Sequence, residues 1–137
     1  MEELIKSLSN LRGISGFEYR ISDKIAEFFE KYADSVEKDR LGNVIAVKKC
    51  GRENAKKVMI EAHIDEIGLM VSDIDDNGFI TFVPVGGVDR RILPSLEVVV
   101  HGKRDLPGVI GAKPPHLQES GEQNKSTKIE DMAIDTG

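Results

Sequence analysis

Leu4, Ile5, Leu8 and Leu11 recur at three- and four-residue intervals. Residues 2–11 therefore read as a short amphipathic helix that stops near Gly13. Ser15-Gly16-Phe17-Glu18 fits a capping box, with Ser15 as the N-cap and Glu18 reaching back. The helix it predicts carries Phe17, Ile21, Ile25, Phe28 and Phe29 on one face and runs to Tyr32 or Ala33. Those aromatic positions read as core packing. The period then shortens to two. From Ser35 to Lys49 two strand-like runs flank Asp39-Arg40-Leu41-Gly42-Asn43, where Gly and Asn tolerate the backbone angles of a turn. Residues 48–57 are a polar loop. Val58-Met59-Ile60 then opens what reads as a buried strand over Val58–Ala62.

Beyond Gly68 the pattern stays β-like. Leu69–Ile74 and Phe79–Val85 flank Asp75-Asp76-Asn77-Gly78, and Asn-Gly is the strongest short hairpin signal. Leu96–His101 and Gly108–Ile110 are further strand candidates, punctuated by Gly86-Gly87, Pro94 and Pro107. No helical pattern runs through 67–116. Residues 118–128 are polar and loop-like, and Glu130–Gly137 begins another strand. The pattern predicts an α/β portion followed by a β-rich module, with no internal repeat.

Composition narrows the functions open to such a chain. Its 137 residues fit one domain, or one small domain and part of another. Nineteen basic residues against 24 acidic ones give a net charge of −5, which does not attract nucleic acid or an anionic membrane. Cys50 is the only cysteine, so no internal disulfide forms and a reducing compartment is the default. Met1 is followed by Glu2 and Glu3 rather than by a signal-peptide pattern, and no apolar run approaches the ~18 residues of a membrane span. The expectation is a cytoplasmic protein.

Candidate chemistry centres on His63, at the end of the run that starts at Val58. Open α/β sheets place their ligand sites at strand ends. In an extended chain Asp65 lies on the same side as His63 and can accept a hydrogen bond from one ring nitrogen, leaving the other lone pair free. A metal-ligating histidine needs such a partner to fix its tautomer. A structural His–Asp pair has the same sequence appearance. Three histidines, one cysteine and neither an H-E-x-x-H nor a C-x-x-C motif leave the other ligands unsupplied. Asp73–Gly78 imitates the start of a calcium loop, but position twelve is Pro84 and the flanks read as strands, so a hairpin is expected. His101 reads as a sheet-edge residue with no carboxylate close by in sequence, and His116 as a loop residue. Asp105 and Asp135 carry no signal of their own. Asp65 and Glu66 cannot both face one substrate on an extended strand, which disfavours a carboxylate pair for sugar hydrolysis.

Five motifs occur in order: Ser15–Glu18, Asp39–Asn43, Ala62-His63-Ile64-Asp65-Glu66-Ile67-Gly68, Gly111-Ala112-Lys113-Pro114-Pro115-His116 and Ile134-Asp135-Thr136-Gly137. Together they resemble the N-terminal part of the glutamyl/tetrahedral aminopeptidase family of cytosolic dinuclear metallopeptidases. The resemblance covers nearly the whole chain apart from 118–126. It implies the N-terminal part of a mixed-sheet α/β peptidase domain over 1–68. A β-rich insert mediating oligomer contacts would follow over 69–132, and the return to the peptidase domain would start at 133–137. It implies two divalent metals, zinc or cobalt, a peptide substrate, and a homo-oligomer. By position His63 matches a metal ligand and Asp65 the residue that orients it. The family's bridging aspartate, general-base glutamate and remaining ligands lie later in sequence than residue 137. The chain is therefore expected to be inactive by itself and to hold no metal pair stably. A non-catalytic oligomerisation module and a glycan hydrolase are the competing readings.

Overall fold

A computed structural model describes residues 2–114 and 126–137. The chain divides into two compact units, Met1–Glu66 and Ile67–Gly137. The first is mixed α/β. It contains α1 (Glu2–Ser9), α2 (Tyr19–Phe29), β1 (Ser35–Lys38) and β2 (Val44–Val47). β1 and β2 form an antiparallel hairpin with Ser35 opposite Val47. Asp39 builds its turn: Oδ1 accepts the N–H groups of Leu41 and Asn43, each at 2.9 Å, and Oδ2 accepts the Asn43 amide at 2.7 Å. Gly42 supplies the positive φ of 89° that this turn requires. Helix α2 packs on both strands.

The second unit is a five-stranded antiparallel sheet. Its strands are β3 (Gly68–Ile74), β4 (Ile80–Val85), β5 (Glu97–His101), β6 (Asp105–Ala112) and β7 (Met132–Asp135). Their order across the sheet is β3-β4-β7-β6-β5. The β3–β4 turn is the expected hairpin. Asp75 Oδ1 accepts the N–H groups of Asn77 and Phe79 at 2.9 and 2.8 Å, and Gly78 sits at φ 88°. The carboxylate of Asp75 thus closes a turn, as the hairpin reading required. Alternate strand residues Ile80, Phe82, Ile110, Met132 and Ile134 point to one face and make the core together with Leu93 from the segment between β4 and β5. No helix interrupts 67–114, as the period-two pattern predicted.

Three expectations need correction. Val58–Ala62 is not a strand; it is irregular, and Val58, Met59 and Ile60 are 84, 84 and 93% exposed. A strand exists only by pairing, and no described segment pairs with this one. The capping box does not form either. The N-cap of α2 is Glu18, without a side-chain cap bond. The chain first makes a tight turn, with the Phe17 N–H on the Ile14 carbonyl at 2.9 Å and Gly16 at φ 89°. Glu18 Oε1 is spent on the Gly16 N–H at 2.8 Å, and the Ser15 hydroxyl turns elsewhere. Finally, α2 ends at Phe29 and buries only Ile21 and Ser22. Phe17 and Phe29 are exposed rather than packed in a core.

Candidate metal centre

His63 lies on an irregular segment that runs beside the loop before α2. The Glu66 N–H donates to the Gly13 carbonyl at 3.0 Å, and Glu66 Oε1 accepts the Gly13 N–H at 3.2 Å. Ile14 and Glu66 form an isolated parallel bridge. Gly13 sits where the loop passes close to α2: a Cβ there would lie 2.5 Å from the Ile21 side chain. Glu66 is thus a two-point clamp between loop and segment. Its carboxylate faces the backbone of Gly13.

The two-residue spacing brings His63 and Asp65 together. His63 Nδ1 is 2.9 Å from Asp65 Oδ1 and 2.9 Å from the Asp65 backbone carbonyl. Both partners are acceptors, so the proton belongs on Nδ1 and the Nε2 lone pair is left open. The imidazole is exposed, at 86% of its side-chain area. The other oxygen of Asp65, Oδ2, accepts the hydroxyl of Ser15. These bonds favour the ionised carboxylate: Asp65 is held below the usual carboxylate range, first by the Ser15 hydroxyl and then by His63. Sequence reasoning assigned Ser15 to a helix cap and missed this contact. The signal lies fifty residues away and was not local.

One neutral nitrogen and its orienting carboxylate suit the first ligand of a divalent metal. They do not make a site. Among the described residues, no three His, Cys, Asp or Glu side chains converge as a metal would need. His101 does have a carboxylate partner, which corrects the sequence reading of it. Nδ1 is 2.9 Å from Asp105 Oδ1, its register partner across the β5–β6 hairpin. β5 is an edge strand, as expected for His101. His116 lies outside the described residues. A cleft of about 300 Å³ opens between Tyr19 and the Lys38–Gly42 turn and includes neither His63 nor Asp65.

Comparison with known proteins places these residues in a family. The sequence profile of M42 glutamyl aminopeptidase matches residues 42–137, the dyad included. A lysyl aminopeptidase of Pyrococcus furiosus is 38% identical over 98% of this chain. An aminopeptidase structure from the archaeon Desulfurococcus kamchatkensis superposes with a TM-score of 0.89 at 41% identity, over 98% of this chain. The TET1 peptidase of Pyrococcus horikoshii, described as assembling into a tetrahedron or a large octahedral shell, superposes at 0.80 with 41% identity over 98% of this chain. The chain spans 39%, 36% and 40% of those three proteins' lengths. A profile match over most of the chain, with relatives aligned almost end to end on it, leads to one statement of descent: the chain belongs to the M42 glutamyl aminopeptidase family.

Proposed function

We propose that this chain is the N-terminal part of a metal-dependent aminopeptidase acting on peptides. His63 contributes Nε2 to one of two divalent ions, zinc or cobalt, and Asp65 holds the ring. The His63–Asp65 geometry carries this reading, because its open nitrogen is the one a ligand needs. When bound, paired divalent ions polarise a scissile carbonyl and supply a hydroxide at neutral pH. The described residues supply one ligand of that pair, so no catalytic step is derived from them. In this reading the general base is not Glu66, whose Oε1 accepts the Gly13 N–H. Residues 1–68 belong to the peptidase domain and 69–132 to a β-rich insert that carries self-association, in keeping with the assembly of the Pyrococcus horikoshii peptidase. A cytoplasmic location belongs to this reading through the family resemblance. Separately, no described helix is long and apolar enough to cross a membrane.

A glycan hydrolase gains nothing from the geometry. It requires two carboxyl groups flanking the scissile bond. Asp65 is committed to His63 and Ser15, and Glu66 to Gly13. The test is a chimera in which residues 1–137 replace the matching part of the Pyrococcus furiosus lysyl aminopeptidase. We expect it to bind zinc or cobalt, to cleave an aminoacyl p-nitroanilide, and to lose both on His63→Ala. Alone, the 137-residue chain should retain no metal pair after dialysis and show no turnover. A chimera that is active and indifferent to His63→Ala would remove His63 from the site. Activity of the isolated chain would overturn the reading of it as a part.

A further inference from the structure

We propose that Ser15 is a positioning residue for this site: its hydroxyl locks the Asp65 carboxylate so that His63 is held as the Nδ1–H tautomer with Nε2 open. The inference rests on the reading of His63 as a ligand and adds a residue to it. Asp65 has two oxygens and two side-chain partners. Oδ1 faces His63 Nδ1 at 2.9 Å, and Oδ2 faces the Ser15 hydroxyl. With both ends engaged, the carboxylate cannot rotate away from the ring. Ser15 is itself fixed from both sides. The Glu66 clamp on Gly13 and the Ile14–Glu66 bridge hold the chain just before it. The Phe17-to-Ile14 turn at Gly16 holds it just after.

Two effects of the hydroxyl oppose each other. Donating to Oδ2 draws charge from the carboxylate and weakens its pull on Nδ1–H. Fixing the carboxylate removes the orientations in which Oδ1 faces water instead. The imidazole is exposed and the carboxylate half-buried, so a released carboxylate still has water to turn to, and the orientational effect prevails. Nor is the tautomer trivially set. An exposed imidazole can carry its proton on either nitrogen, and its partner decides which.

The experiment reads the tautomer directly and needs no metal. The 15N-labelled chain is held with chelator at about pH 9, well above the range in which histidines ordinarily protonate. Long-range proton–nitrogen spectra then report which ring nitrogen of His63 carries the proton. Nδ1–H should dominate in the wild type. Ser15→Ala should lower the Nδ1–H to Nε2–H ratio about threefold, the size expected when one exposed hydrogen bond is lost. The shift stays partial because the Asp65 backbone carbonyl still faces Nδ1. Ser15→Thr, which keeps the hydroxyl, should restore the ratio. An unchanged ratio in Ser15→Ala overturns the proposal, as does a Ser15→Thr chain that shifts as far as Ser15→Ala. Asp65→Asn gives an independent arm should Ser15→Ala fail to fold. It too should lower the ratio, and if it does not, the carboxylate is not what sets the tautomer. Failure of the metal reading would show in the chimera and leave this spectrum untouched.

Discussion

Single carboxylates organise much of this chain, and each does so by accepting several donors at once. Asp39 and Asp75 close hairpins, Asp65 joins Ser15 to His63, and Asp89 grips Arg91. Asp89 is the most perturbed. The Arg91 side chain, first through its hydrogen bonds, holds its pKa down to about 2 from an ordinary 3.8. The sign follows from linkage. A carboxyl whose folded pKa is depressed adds stability that is fully present above its unfolded pKa. That stability disappears as pH falls through the folded value. Stability should therefore decline between about pH 4 and pH 2. Asp34, Asp39 and Asp65 are lowered too and add to the same slope. Arg91→Ala should flatten the slope in urea titrations across that window. An identical slope in the variant would show that the Asp89–Arg91 pair is lost to solvent screening.

Elements that close on themselves were legible in the sequence; elements that need a distant partner were not. Gly108 on β6 shows how tight such distant seams are. A Cβ there would lie 2.6 Å from Ile134 Cγ2 and 3.2 Å from the Asp135 carbonyl, both on β7. Gly108→Ala should cost about 1–3 kcal/mol, as overpacking does, read as a lower urea midpoint at unchanged slope. A neutral result would mean the β6–β7 seam yields. The two hairpin turns could be read from Asp39–Asn43 and Asp75–Gly78 because every bond in them spans a few residues. Ser15 satisfied a local capping pattern, yet its hydroxyl went to Asp65. His101 and Asp105 face each other only once the β5–β6 register is known. Val58–Ala62 has the composition of a buried strand and no described neighbour to make it one. The motif Ala62–Gly68 pointed to the dyad for the opposite reason: a separation of two residues suffices to bring Nδ1 to Oδ1.

The chain leaves much apolar surface uncovered for its size. Val58, Met59 and Ile60 stand almost fully in solvent, and Ile5, Leu8, Ile45, Met70, Val83 and Val109 are also exposed. Surface of this kind drives association. We expect the isolated chain to be oligomeric or aggregation-prone by light scattering. Paired Val58→Lys and Ile60→Glu substitutions should shift it toward smaller species with unchanged circular dichroism. A clean monomer at high concentration would refute this. The position of β7 has a consequence of another kind. It follows every other strand in sequence, yet it lies between β4 and β6 at the middle of the sheet. The two hairpins, β3–β4 and β5–β6, close over short loops, and such local pairing is expected to precede the distant one. They cannot be joined until residues 132–135 arrive, and pairings between residues so far apart in sequence, such as Ile80 with Ile134, form slowly. On a ribosome the two halves of the core would wait side by side, each with one face bare. Completion of the sheet is then a single late event, timed by the emergence of four residues. Gly108→Ala, which disturbs that seam, should reveal the order by slowing refolding more than it speeds unfolding.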